Sequence, residues 1–149
     1  MKNALIAGVT LVAVFTLVGA ALAAAKPTAR STMVTTARTG LGRIIVDGRG
    51  RSLYLFEKDP RGQSTCSGLC ATYWPPVLSN GKPIAIKGAK QSLLGSIRRA
   101  DGTRQVSYAG HPLYFFSGDT MRGQTNGEGL QDFGAGWYAL APSGKKLDH

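Results

Sequence analysis

Two carboxylates stand at matching positions of the sequence and are its first candidates for chemistry. The pattern Tyr-x-Phe-x-x-Asp occurs twice, as Tyr54, Phe56 and Asp59 and as Tyr114, Phe116 and Asp119. Each aspartate precedes a turn-prone stretch, where a carboxylate most simply accepts backbone N–H bonds of its own loop. Two alternatives stay open: an acid and base pair that hydrolyses glycans, and a cation site in the loop DTMRGQTNGEG, although this loop lacks the alternating oxygen ligands of known calcium loops.

Cys66 and Cys70 are the two cysteines of the chain. An even pair is typical of a disulfide in a protein that folds in an oxidising compartment, so we predict one short bridge between them. The alternative is copper binding or thiol redox chemistry, because two thiols and a nearby imidazole can hold a soft metal, and His111 is the candidate imidazole. The haem attachment sequence Cys-x-x-Cys-His is absent. The sequence therefore predicts neither a metal nor a cofactor.

The other reactive side chains lack the sequence context of known active sites. No Gly-x-Ser-x-Gly elbow surrounds a serine, and no phosphate-binding glycine loop precedes a helix. Tyr73, Trp74 and Tyr138 could stack on sugars or bases, although core packing is the more common role of such aromatics. No catalytic residue is assigned, and the sequence favours a protein without enzymatic activity.

The elements that must position these residues form two related halves. The segment VDGRGRSLYLFEKDPRGQS matches VSYAGHPLYFFSGDTMRGQT at an offset of sixty residues, which grows to sixty-one and then sixty-three further along. An internal duplication explains such ordered matches. We predict a first repeat at about 41–82 and a second at about 101–146. The matched pairs include Val46 and Val106, Gly62 and Gly123, Trp74 and Trp137, and Gly81 and Gly144.

Each repeat has the pattern of β-structure. Short β-rich runs such as GRIIVDG, RSLYLF, RQVSY and HPLYFF alternate with Asp-Gly and Gly-rich turns, which indicates hairpins. The stretch KQSLLGSIRR fits either a short helix or the first arm of a hairpin that turns at Asp101–Gly102. We therefore predict an all-β fold: a single, mainly antiparallel β domain at 41–146, with at most one short helix.

The N-terminus carries the pattern of a secretory signal peptide. Lys2 is followed by an uncharged, apolar run that ends in Ala-x-Ala spacings, so residues 1–25 are predicted to be cleaved. A transmembrane anchor is the alternative, because the run is just long enough to cross a bilayer. No cysteine stands at the cleavage point, so we expect a periplasmic or secreted protein without a lipid anchor or a transmembrane segment. Residues 26–40 are predicted to be an N-terminal tail that can contribute an edge strand.

The charge balance is strongly basic. The chain has 18 Lys and Arg against 8 Asp and Glu, a net charge of +10 at pH 7. Such a surface favours contact with anionic envelope polymers or lipid headgroups. The basic residues are scattered without a run longer than two, so no specific nucleic-acid partner is predicted.

The two motif copies also carry a family resemblance. The order of LYLFEKD, STCSGLCATYWPPVL, YAGHPLYFFSGD and GWYALAPSGK resembles the bacterial family of secreted repeats of unknown function, also described as predicted lipoproteins with a Yx(F/W/Y)xxD motif. The resemblance implies export but no mechanism. Together with the charge, it leads us to expect a non-enzymatic binding or structural module of the cell envelope. The alternative is a periplasmic copper or thiol redox protein that uses Cys66, Cys70 and His111.

Overall fold

The computed structural model describes residues 30–147, and the predicted signal peptide lies outside them. The described part is built from short β-strands with one helix and one 3-10 turn. In chain order the elements are β1 (Met33–Thr39), β2 (Gly42–Asp47), β3 (Tyr54–Phe56), α1 (Leu69–Tyr73), β4 (Ile84–Ala85), the 3-10 turn (Gln91–Leu93), β5 (Leu94–Arg98), β6 (Arg104–Tyr108), β7 (His111–Pro112), β8 (Gln131–Asp132) and β9 (Ala135–Ala139). The predicted all-β fold with one short helix is confirmed.

The strands form three small sheets, with the orders β2-β1-β4, β3-β9-β8 and β5-β6-β7. The pairing is antiparallel except between β1 and β4, which run parallel. Each repeat begins with a hairpin, β1–β2 in the first and β5–β6 in the second. No helix among residues 30–147 is long and apolar enough to cross a membrane.

In the structure, β1 and β5 lie before the predicted starts of the two repeats, at about 41 and 101. Residues 33–39, predicted to be part of a tail that can contribute an edge strand, form β1, which lies between β2 and β4 in its sheet and buries Val34 fully. In the second repeat the stretch KQSLLGSIRR forms the 3-10 turn and β5, so the hairpin alternative applies rather than the helix. Leu93 and Leu94 of this stretch pack against the core. The short helix α1 lies elsewhere: it contains Cys70 and ends next to Trp74.

The two repeats are related by an approximate two-fold arrangement centred on the motif tyrosines. The backbone N–H of Tyr54 donates to the carbonyl of Tyr114, and the N–H of Tyr114 donates to the carbonyl of Tyr54, both at 2.9 Å. A further reciprocal pair joins Gly62 N to Gly110 O at 2.9 Å and Gly123 N to Gly50 O at 3.0 Å. The repeats therefore pair with each other at the motif itself.

The backbone hydrogen bonds change one of the residue pairs that the sequence matched between the two repeats. The N–H of Ile45 donates to the carbonyl of Leu140, and the N–H of Val106 donates in the same way to the carbonyl of Val77. The structure thus aligns Ile45, not Val46, with Val106. The difference arises in the turn after β2, which has one residue more than the turn after β6.

Strands are exchanged between the repeats around this centre. The strand β3 of the first repeat pairs with β9 of the second, with Phe56 opposite Trp137. The motif segment of the second repeat pairs in the same way with the first repeat: Phe115 N donates to Pro75 O, and Ser117 N donates to Tyr73 O. Each motif segment therefore lies against the tryptophan-containing segment of the other repeat, and neither repeat has a complete core of its own.

Two clusters of buried side chains make up the core. The first contains the motif aromatics, both tryptophans and the cysteines, and the second contains mainly aliphatic residues. Equivalent residues of the two repeats belong to the same cluster: Tyr54 and Tyr114 lie in the first, Leu53 and Leu113 in the second. Burial of these side chains removes a large apolar area from water and is the main favourable contribution to folding.

Candidate functional site

The motif side chains meet across the centre of the domain, and each copy supplies one half of each contact. The hydroxyl of Tyr54 donates to Asp119 Oδ2 at 2.6 Å, and the hydroxyl of Tyr114 donates to Asp59 Oδ2 at 2.5 Å. Hydrogen bonds to ionised acceptors are short and stronger than neutral ones. The tyrosine of each motif is therefore bonded to the aspartate of the other motif.

The second oxygen of each carboxylate holds its own loop. Asp59 Oδ1 accepts bonds from the backbone N–H and the hydroxyl of Thr65, both at 2.7 Å. Asp119 Oδ1 accepts the backbone N–H of Asn126 at 2.9 Å. Sequence reasoning anticipated these backbone contacts but not the tyrosine partners. With both oxygens bonded within the protein, the two aspartates are built into the framework of the domain.

Four aromatic rings stack through the first core cluster. Trp74 and Trp137 lie face to face, with centroids 3.9 Å apart, Phe56 stacks on Trp137 at 4.0 Å, and Phe116 lies on Trp74 at 4.5 Å. Each motif phenylalanine again contacts the tryptophan of the other repeat. Trp74 is fully buried, so the suggestion that it stacks on a sugar or base is wrong. The other two aromatics named for this role differ: Tyr73 is exposed, whereas the partly buried Tyr138 ring is covered by the Lys146 ammonium group.

A chain of hydrogen bonds extends from Asp59 to a buried arginine. Arg99 Nη1 donates to Ser64 Oγ at 2.8 Å, and Ser64 Oγ lies 2.7 Å from the Tyr114 hydroxyl. Because the Tyr114 proton is given to Asp59, the serine must donate to the tyrosine. All donors therefore point from the guanidinium towards the carboxylate, and this polarised order strengthens each bond.

Arg99 also ties the disulfide loop to the second hairpin. Its Nη2 donates to the carbonyl of Cys66 and its Nη1 to Gln105 Oε1, both at 2.7 Å, and only 8% of its side chain is exposed. Arg99, Ser64 and Gln105 were missed by sequence reasoning. Ser64 lies 35 residues before Arg99 in the chain, and only Gln105, a polar residue in a β-rich run, gave a hint of a buried polar contact.

Burial sets the protonation of the central groups. Burial raises the pKa of Tyr54 and of Tyr114 well above the usual phenol value, and the adjacent carboxylate raises each further. Both phenols therefore stay protonated and act as donors. Burial also raises the pKa of Asp119, against the opposing effect of the hydrogen bonds from Tyr54 and Asn126.

The cysteines form the predicted disulfide. Cys66 and Cys70 are bonded to each other, with their Cα atoms 5.3 Å apart, and both side chains are buried. The bridge closes the loop that leads through α1 to Trp74, so it fixes the segment that enters the aromatic stack. Asp59 holds the start of the same loop through Thr65, and Arg99 holds it through the carbonyl of Cys66.

The copper and calcium alternatives both need a set of metal ligands. Within residues 30–147, no group of three or more His, Cys, Asp or Glu side chains is placed to hold an ion. His111 does not join the cysteines in such a group. Burial lowers the pKa of His111, Arg61 lowers it further, and Asp59 opposes both. In the loop proposed for calcium, Asp119 is committed to Tyr54 and Asn126.

The open surface is shallow and basic. A cleft of about 470 Å³ lies between the segment that precedes β4 and the strand β5, and its lining includes Lys82, Ser96 and Arg104. A second space of about 210 Å³ lies beside the disulfide loop, between Ser64, Ser67 and Arg99. Neither is a deep cavity with converging acid and base groups.

These features define a class of protein: an intertwined β domain of two repeats, with exchanged tyrosine–aspartate bonds, a shared tryptophan stack and a disulfide. The sequence matches the family described as secreted repeat of unknown function over residues 35–78 and 95–141. The chain belongs to this family. The two matches begin inside β1 and β5, in agreement with the repeat boundaries of the structure. No curated protein and no solved structure matches the chain.

Proposed function

We propose that this protein is an exported, non-enzymatic module that binds anionic polymers or lipid headgroups of the cell envelope. One observation carries the proposal: three of the aspartates are engaged within the domain, whereas every Lys and Arg of residues 30–147 except Arg99 is exposed. The carboxylates of Asp47, Asp59 and Asp119 accept hydrogen bonds from their own loops or from buried tyrosines. The excess positive charge therefore faces the solvent, where it attracts anions.

The rigid centre supports a binding role rather than a catalytic one. Asp59 and Asp119 are held by Tyr114 and Tyr54, so neither carboxylate is free to transfer a proton to a substrate without breaking the contact between the repeats. A general acid or base needs a group within reach of a substrate. The motif thus serves to lock the two repeats together and to present their outer faces.

The route of export is part of the proposal. Residues 1–25 have the pattern of a cleavable signal peptide, and the disulfide suits an oxidising compartment. Both cysteines of the chain are used in that disulfide, so neither is available for a lipid anchor. Mass spectrometry of the protein recovered from the bacterial envelope or medium tests this: we expect a chain that begins at Ala24 or Lys26, without added lipid mass.

Binding to the envelope is tested by sedimentation. Purified oxidised protein should sediment with isolated cell-envelope fractions at low salt and be released as salt rises, because exposed charges are screened beyond a Debye length of about 10 Å at 0.1 M. A neutral protein of similar size serves as the control. A protein that stays in the supernatant at every salt concentration would contradict the proposal.

A further inference from the structure

Two arginines lie directly opposite each other in the first hairpin. Arg38 of β1 is paired with Arg43 of β2, one position before the turn. Opposite residues of an antiparallel pair project from the same face, with Cα atoms about 4.5–5.5 Å apart. Both arginines are exposed, and Arg43 Nη1 donates to Thr36 Oγ1 at 3.2 Å on that face.

The second hairpin repeats this arrangement. Arg98 of β5 is paired with Arg104 of β6, both are exposed, and Arg104 Nη2 donates to Ser96 Oγ at 3.3 Å. Each arginine pair lies on the face of its hairpin that carries a residue of the second core cluster, Ile45 in one and Val106 in the other. The duplicated feature therefore comprises two arginines and one hydroxyl residue in each repeat.

Such pairs are unfavourable for folding. Like charges directly opposite each other in a β-ladder repel and destabilise the sheet. The ion pairs formed among residues 30–147 use Arg51, Arg99 and Lys146, so no carboxylate in that range neutralises the four arginines. A costly arrangement that occurs at the same place in both repeats, with no carboxylate partner among residues 30–147, indicates an external anion.

We propose that each arginine pair binds a phosphate group, so that the domain grips a phosphate-bearing envelope polymer or lipid headgroup at two equivalent points. The proposal rests on the proposed function and specifies its site and ligand chemistry. A guanidinium matches the oxygens of phosphate with two parallel N–H bonds. A tetrahedral phosphate offers more than one edge to two facing guanidinium groups, whereas a planar carboxylate offers one.

The second arginine pair, Arg98 and Arg104, lies beside a cleft that can hold a part of the ligand beyond its phosphate group. Ser96 and Arg104 line the cleft of about 470 Å³, together with Lys82 and Asn80. A polymer unit bound at Arg98 and Arg104 can therefore extend into a cleft that holds a further cation and a neutral amide. Binding at two points joined by one ligand chain raises the overall affinity above that of either point.

The test compares variants that remove equal charge from different places. The variants R38Q/R43Q and R98Q/R104Q each lose one pair, and the matched control R49Q/K58Q loses two exposed charges that lie in turns. Fluorescence anisotropy measures the affinity for labelled inorganic polyphosphate and for poly-L-glutamate over a range of salt concentrations. Flotation measures binding to phosphatidylglycerol vesicles, with phosphatidylcholine vesicles as the blank.

We expect each pair variant to bind polyphosphate or phosphatidylglycerol about tenfold more weakly. The slope of log affinity against log salt concentration should become shallower by about 1 to 2, because one or two phosphate contacts are lost with each pair. The control should change affinity less than threefold. Loss confined to polyphosphate identifies a soluble or wall polymer, and loss confined to vesicles identifies a lipid headgroup; either supports the site. Each pair variant should also melt about 1–4 °C higher, because a repulsive contact is removed.

Three results would overturn the site: equal weakening by the control, unchanged affinity of the pair variants, or affinity for poly-L-glutamate as high as for polyphosphate. In all three the unmodified protein still binds an anion, so the proposed function survives. A native protein that binds neither polymers nor vesicles would remove the proposed function as well.

Discussion

The exchange of tyrosine–aspartate bonds between the repeats makes a prediction about energetic coupling. Removing the hydroxyl with Tyr54→Phe deletes a 2.6 Å hydrogen bond to Asp119 and leaves that half-buried carboxylate without its tyrosine donor. Hydrogen bonds to charged groups contribute about 1.5–3 kcal/mol, so we expect a loss of about 2 kcal/mol. Tyr114→Phe should cost about 1 kcal/mol more, because Ser64 also loses its acceptor.

Double-mutant cycles separate the partners. Coupling between Tyr54→Phe and Asp119→Ala should reach about 1–2 kcal/mol, and the same holds for Tyr114→Phe with Asp59→Ala. The matched control is the pair within one motif, Tyr54→Phe with Asp59→Ala, which should be additive to within about 0.5 kcal/mol. Free energies come from urea denaturation with the disulfide intact. Coupling within a motif, with none across motifs, would refute the exchanged arrangement.

Three further predictions concern the disulfide, the histidine and one glycine. Replacing Cys66 and Cys70 by Ser should lower the free energy of unfolding by about 2 kcal/mol in urea titrations, because the open loop gains entropy in the unfolded chain; an unchanged midpoint would contradict this. His111 has a lowered pKa in the folded protein, so stability should fall as pH drops below about 6.5, and His111→Gln should flatten that slope in thermal melts between pH 7 and 5. Gly127→Ala would place a methyl group 2.8 Å from the Trp74 ring, with an expected loss of about 1–3 kcal/mol in the same assay; no loss would show that the ring can move.

The repeats, the β class and the hairpins were predictable because they depend on local patterns. Tyr54 and Tyr114 recur at a fixed offset, and Asp101–Gly102 is a turn sequence with Gly102 at φ +84°, a value that glycine adopts without strain. The segment that forms β1 was predicted as part of a tail that can contribute an edge strand, because MVTTART has no aromatic residue. Its β-branched residues were the available signal.

The exchange between repeats could not be read from the sequence. A duplication shows that Tyr54 corresponds to Tyr114, but not whether either contacts the aspartate of its own copy or of the other. Both arrangements satisfy the same local pattern, and only the tertiary pairing of β3 with β9 decides between them. The contact between Arg99 and Ser64 could not be predicted either, because it also depends on tertiary pairing and joins residues 35 positions apart. The paired arginines were visible only after the strand register placed Arg38 opposite Arg43.

The phosphate-binding role of the arginine pairs is tested most directly by the polyphosphate affinity of two variants, measured side by side at a temperature where both are folded. The first, Y54F/Y114F, disrupts the motif, and the second, R38Q/R43Q/R98Q/R104Q, removes both arginine pairs. We expect the motif variant to be less stable but to bind with a Kd within about threefold of the unmodified protein, and the arginine variant to bind about a hundredfold more weakly. Loss of binding in the folded motif variant, with retention in the arginine variant, would contradict that role.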